Sequence, residues 1–151
     1  MAPAPILSHM APHKKILFLG RSDPDTGYDT CAELAKLLKF KLTVITDKPN
    51  THEFISQTDY VFVSGYLTII EAALNRKLIF AGYNNPVRKD ILIMHPLSRY
   101  MIIGQSPSEL AKTFLALSPV RIADMIESAY AWAKDQTWDR LAAQYESLWL
   151  K

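Results

Sequence analysis

The chain has 151 residues, 49% of them hydrophobic and 21% charged, a balance that excludes a disordered or collagen-like polymer and fits one folded domain. Seventeen Lys and Arg stand against 15 Asp and Glu, and a net charge of +2 gives no reason to expect nucleic acid as a partner. A single cysteine, Cys31, excludes an internal disulfide and a cysteine-rich zinc site and fits a reducing, cytoplasmic setting.

Residues 1–13 read as a disordered tail or cloning remnant, with Met10 as an alternative natural start: Pro3 and Pro5 oppose regular structure, and the charged start and apolar centre of a secretory signal are absent. Residues 14–151 form the domain. Ile16, Leu17, Phe18 and Leu19, closed by Gly20, predict a strand buried on both faces. After a loop over 21–27, Cys31, Leu34, Ala35 and Leu38 recur at helical spacing, and Thr30 with Glu33 forms a capping-box pair. Residues 42–46 are rich in β-branched side chains and predict the second strand. A turn at 47–50 and at most a short helix over 51–57 follow.

Residues 60–63 make a third apolar strand, ending at Ser64-Gly65. A helix then carries Ile69, Ile70, Ala73 and Leu74. Residues 78–80 form a fourth strand, Asn84-Asn85-Pro86 opens a loop running to Asp90, and residues 91–94 are an apolar run of strand length. Residues 101–103 make a fifth strand. Ser106-Pro107 with Glu109, and Ser118-Pro119, are helix starts. Thr137 opens a last helix striped with Trp138, Leu141, Tyr145, Leu148 and Trp149. No apolar run approaches the ~20 residues that span a bilayer, so no transmembrane segment is expected.

Strands alternating with helices predict an α/β fold, a parallel sheet flanked by helices. Ligands of such sheets sit outside the carboxyl ends of the strands, which directs attention to the loops at 20–27, 46–50, 64–68 and 82–90. In the first, Gly20 lets the backbone approach a ligand and Arg21 stands where a phosphate would meet it; the plain alternative is a surface turn with a solvated Arg. In the third, Ser64, Gly65, Tyr66, Leu67 and Thr68 lead into a helix whose first amides suit an anion, and Glu71 follows one turn later. Thr68 and Glu71 also have the spacing of a capping box, which needs no ligand. In the fourth, Arg88, Lys89 and Asp90 read as solvated charge, and His95 as a packed or surface histidine. His9 and His13 lie in the tail; no other His or Cys pair has ligand spacing, so no metal site is expected.

The segments KILFLGRSDPDTG, DYVFVSGYLTIIEAALNRKLIF and AYAWAKDQTWDRLAAQYESLW, in this order, resemble the C-terminal half of a GT-B glycosyltransferase of the retaining family-4 type. The resemblance runs from Lys14 to Lys151 and implies a single Rossmann-like domain, half of a GT-B architecture, that holds a nucleotide diphosphate sugar. It implies donor binding by Gly20 and Arg21 at the diphosphate, by the backbone of Ser64, Gly65, Tyr66, Leu67 and Thr68 at the phosphates, and by Glu71 at the ribose. No cofactor is implied beyond the nucleotide sugar as substrate, and transfer needs no metal.

Two positions depart from the family pattern. Thr26 stands where a second diphosphate-binding Lys is usual, and Val63 where an acid is usual; Asp59, the nearest acid upstream, is a poor substitute. The stretch between the second and third strands is short, and the acceptor-binding half is absent from the sequence. The resemblance therefore implies an acceptor domain on another chain or on a longer parent, and a last helix whose aromatic stripe faces a partner, either that domain or a second copy; the plain alternative is a stripe packed on this domain's own sheet. A non-catalytic nucleotide-binding or regulatory module of the same fold is the alternative, and a flavodoxin-like domain a third.

Overall fold

The computed structural model describes residues 14–20, 27–46, 51–63, 66–136 and 138–149. The predicted tail, Arg21, Thr26, Ser64, Gly65 and Thr137 lie outside them. Five strands form one sheet: β1 (Lys15–Leu19), β2 (Lys41–Ile45), β3 (Tyr60–Val63), β4 (Leu78–Gly82) and β5 (Ile102–Gly104), in the order β2-β1-β3-β4-β5. Every pairing is parallel, with Leu17 beside both Thr43 and Val61, and Phe80 beside Ile102. The helices are α1 (Tyr28–Leu38), α2 (Thr51–Ser56), α3 (Tyr66–Leu74), α4 (Pro86–Met94), α5 (Pro107–Leu115), α6 (Pro119–Ala133) and α7 (Trp138–Trp149), with a 3-10 turn at Ser98–Tyr100 before β5. The expected α/β fold is present.

The apolar runs are buried on both faces because each face carries helices. Phe18, Phe62 and Phe80 point to one layer, against Cys31, Leu34, Ala35 and Leu38 of α1 and Leu110, Ala111 and Phe114 of α5. Leu17, Leu19, Val61, Val63, Ile79 and Ala81 point to the other, against Ile55 of α2, Ile69, Ala72 and Ala73 of α3 and Leu92 of α4. Helix α6 gives Met125 to the first core and Ala129 and Ala133 to the second, so it crosses the sheet edge and joins the two layers. Arg76, just before β4, holds that crossing: its Nε lies 3.2 Å from Glu127 Oε1 and its guanidinium 3.8 Å from the Tyr130 ring centroid.

The helix starts divide into those the sequence marks and those it disguises. Ser106 Oγ accepts from the Glu109 amide at 3.1 Å, and Glu109 Oε2 accepts from the Gln105 amide at 2.9 Å. Ser118 Oγ accepts from the Arg121 amide at 3.1 Å. Loss of such a cap costs about 1 kcal/mol, so Ser118→Ala is expected to lower unfolding free energy by that amount in a urea titration.

The other starts differ from expectation. Helix α1 begins at Tyr28 after Gly27, whose φ of 87° turns the chain, and no side chain caps it. Thr30 is therefore inside the helix and is not an N-cap; its Cγ2 lies 3.4 Å from where a Cβ on Gly82 would stand. The expected loop to Asp90 ends at Asn85, whose Oδ1 accepts from the Arg88 amide at 2.8 Å with Pro86 in the first turn. Asn-Pro here is a cap followed by Pro at N1, so Arg88, Lys89 and Asp90 are helical and the apolar run 91–94 ends α4. Leu92 is buried, while Val87, Ile91 and Met94 are exposed.

Two buried groups give the fold an alkaline limit. Burial pushes the Cys31 thiol from 9.0 up to about 12, and burial with Asp59 nearby pushes the Tyr60 phenol from 10.0 up to about 12. Both are neutral when protonated, so between the unfolded and folded values the unfolded chain binds fewer protons than the native one. Their contribution is then fully present below pH ~9 and falls as pH rises toward ~12. Melting temperature is expected to decline across that window, and Cys31→Ala to remove the part that begins near pH 9.

Candidate functional site

The chain leaves β1 to build β2 on one side and returns to build β3 on the other. Strand order reverses between β1 and β3, and a crevice opens above their carboxyl ends at such a point. The segments leaving those two strands are Gly20 onward and the stretch into α3. They begin at the ends of directly paired strands, Leu19 beside Val63, where the first and third of the loops singled out by sequence start.

Gly20 has φ 144°, a backbone conformation that favours glycine. Its amide donates to the Ile45 carbonyl at 3.2 Å, and its carbonyl accepts from Thr46 Oγ1 at 2.8 Å. The end of β1 is thereby tied to the end of β2. Thr46, expected inside the second strand, instead leaves it to make this bond. Beneath the rim, Phe62 fills the space under two glycines: a Cβ on Gly27 would meet its Cε1 at 3.2 Å and one on Gly82 its Cζ at 3.2 Å. The floor on that side is closed and aromatic, with Phe18 at 5.8 Å centroid distance and Tyr28 edge-on to Phe18 at 5.6 Å.

Helix α3 starts at Tyr66, three residues earlier than a Thr68 cap would allow. Tyr66, Leu67 and Thr68 are thus its first turn, where helical amides have no partner within the helix. The Thr68–Glu71 capping box is accordingly not formed. Glu71 is half-buried, and its Oε2 accepts from Thr51 Oγ1 at 3.0 Å. Thr51 is the first residue of the helix after β2 and Glu71 lies in the helix after β3, so this bond ties those two helices together on the carboxyl side of the strands they follow. The Glu71 carbonyl is held in turn by Asn75 Nδ2 at 2.8 Å.

Three other candidates do not join this rim. Val63, at the position of the family's second acid, is 1% exposed and packed in the core beneath α3. Asp59 sits at the amino end of β3, where its Oδ2 accepts from the Lys15 amide at 2.8 Å and Lys14 Nζ approaches Oδ1 at 3.9 Å. His95 is buried after α4; its Nδ1 accepts from the Leu97 amide at 3.0 Å and its ring lies 5.9 Å from Trp132. It is a packed histidine. Of the stripe on α7, Leu148 is the one residue whose side chain is described, and it is exposed at 66%.

Sequence reasoning missed Thr46 and Thr51. Both hydroxyls act across long separations, 26 residues to Gly20 and 20 to Glu71, and no local pattern marks such pairs. No helix among the described residues is long and apolar enough to cross a membrane.

No family model matches the sequence, and no curated protein matches it. Among solved structures, the fold is similar to that of WaaG, a glycosyltransferase involved in lipopolysaccharide biosynthesis, with a TM-score of 0.55 at 11% identity. The likeness covers 85% of this chain and 45% of the WaaG chain, so this chain spans less than half the length of the protein it matches. At that identity the likeness is one of fold. The single parallel sheet with helices on both faces is a Rossmann-like α/β domain, similar in fold to rather less than half of the WaaG chain.

Proposed function

We propose that this domain binds the nucleotide diphosphate sugar of a retaining, family-4-type glycosyltransferase, in the cytoplasm, and that transfer requires an acceptor domain from another chain or a longer parent. The observation that carries the reading is the reversal of strand order between β1 and β3 with Glu71 held by Thr51 on the carboxyl side of the strands. Gly20 and Arg21 meet the diphosphate. The backbone at Ser64, Gly65, Tyr66, Leu67 and Thr68 receives its oxygens, and Glu71 accepts from the ribose hydroxyls. Departure of the diphosphate is stabilised by the Arg21 guanidinium and the first amides of α3, fixed groups aimed at developing negative charge, without a bound metal. The exposed end of α7 around Leu148 is the side on which an acceptor domain or a second copy docks.

A titration of the chain with UDP, GDP and ADP tests the reading. Saturable binding of at least one is expected, and no binding of any would overturn it. Glu71→Gln keeps the shape of the side chain and makes it a weaker acceptor. Its affinity for the bound nucleotide is expected to fall roughly tenfold, the scale of a hydrogen bond to a charged group, while its melting temperature stays close to that of the parent. A variant that melts earlier but binds as before would return Glu71 to a purely structural role.

One observation favours a second reading, a nucleotide-binding module without turnover. Val63 is core and no acid replaces it, and Thr26 offers no second cation. Mixing the chain with a candidate acceptor domain and a nucleotide sugar separates the two: sugar transfer supports the first, binding without transfer the second.

A further inference from the structure

We infer that Thr51 is a positioning residue that fixes the plane of the Glu71 carboxylate, and that it thereby sets a preference for ribonucleotides over 2′-deoxyribonucleotides. The inference rests on the nucleotide-binding reading above and deepens it. A carboxylate is acceptor-only, so in the 3.0 Å contact the Thr51 hydroxyl must donate. It occupies one of about four lone-pair sites of that carboxylate, and among the described residues no other side chain donates to it. Among the described residues no ion pair reaches Glu71. Among the described residues it is the threonine hydroxyl, and not a cation that would compete with a ligand's hydroxyls, that orients it.

The bond joins two helices at defined points. Thr51 is the first residue of α2, and Glu71 lies within α3 with its carbonyl held by Asn75. The backbone of the glutamate and one carboxylate oxygen are both fixed before any ligand arrives. A free glutamate would have to give up several rotamers on meeting a vicinal diol; this one has given them up in folding, which lowers the cost of binding. Two adjacent ribose hydroxyls donate best to a carboxylate whose plane is already set. A 2′-deoxyribose offers one hydroxyl fewer and forfeits that advantage.

The alternative is that Thr51 only ties α2 to α3. Discrimination between two ligands on one folded sample separates the two roles, because a loss of stability lowers both affinities alike. The experiment measures dissociation constants of the full chain for UDP, GDP and ADP and for their 2′-deoxy counterparts. In the parent protein the ribonucleotide is expected to bind roughly tenfold more tightly than its deoxy form. Thr51→Val, which keeps the shape and removes the hydroxyl, is expected to bring that ratio down to about two, and Thr51→Ser to keep it. A parent ratio near one overturns the inference while the nucleotide-binding reading stands. An unchanged ratio in Thr51→Val also overturns it, whatever happens to the melting temperature. If Thr51→Val does not fold, Thr51→Ala takes its place: a drop to about two supports the inference and an unchanged ratio overturns it. Failure of the parent to bind any nucleoside diphosphate removes both readings together.

Discussion

Phe114→Ala is expected to lower unfolding free energy by about 3–5 kcal/mol, the range for deleting a fully buried aromatic ring. Phe114 is 0% exposed at the centre of an aromatic group: Tyr60 lies 5.4 Å away, Phe80 5.6 Å and Phe40 5.9 Å between ring centroids. Two of these contacts are edge-on, geometries worth about 0.5–1.5 kcal/mol beyond burial. Alanine would also leave a void that a rigid sheet face cannot collapse to fill. Phe114 joins α5 to β3, to β4 and to the segment before β2, so no single neighbour can move to compensate. At a urea dependence of about 2 kcal/mol per molar, the midpoint falls by roughly 2 M. Leu115→Ala, one residue on and 44% exposed, serves as the comparison and is expected to cost a fraction of that. Equal losses at the two positions would contradict the assignment of α5's buried face.

Arg21→Ala is expected to weaken nucleoside diphosphate binding by about 1.5–3 kcal/mol, roughly ten- to hundredfold, with the melting temperature of the unliganded chain unchanged. Gly20, locked to the end of β2 by two hydrogen bonds, stands at the point where strand order reverses, and Arg21 is the next residue in the chain. A guanidinium presents paired donors to phosphate oxygens in a geometry lysine lacks, so Arg21→Lys is expected to recover part of the affinity but not all of it. Because Thr26 supplies no second cation, the loss falls on one residue and is not shared. Salt dependence provides a second check, since the alanine variant should show a shallower decline in affinity with ionic strength. Unchanged affinity in Arg21→Ala would end the diphosphate assignment.

The sheet was legible in the sequence because parallel strands buried on both faces are continuous apolar runs. The runs at 16–19 and 60–63 match β1 and β3 apart from Lys15, and those that begin β2 and β5 differ by one residue. Helices whose starts are marked by Ser-Pro were equally plain. Error came where one residue type serves two roles. Asn-Asn-Pro is a loop signal and also a cap with Pro at N1, and the second role won at α4. Thr followed three residues later by Glu is a capping box at a helix start and nothing of the kind inside one; a glycine turn at Gly27 and an earlier start at Tyr66 placed both such pairs inside helices. The candidate rim was legible in part. Gly20 closes a strand that the local apolar run defines, and Glu71 lies within a helix whose apolar spacing is visible although its start is not. The hydroxyls that hold them, Thr46 and Thr51, come from elements whose proximity only the sheet order creates.

That sheet order has a thermodynamic consequence. β1 is paired on both sides by strands that follow it in the chain, and its second partner, β3, begins 45 positions after Lys15 at Tyr60. The rim between them is assembled from segments distant in sequence and has no counterpart in the unfolded chain. A ligand that bridges it therefore binds the native state alone, and every unit of its binding energy appears as resistance to unfolding. At a concentration one hundred times its dissociation constant, such a ligand raises global stability by about 2.7 kcal/mol. A melt run across a set of small anions then reads out affinity directly, with the two central strands of the domain acting as the sensor.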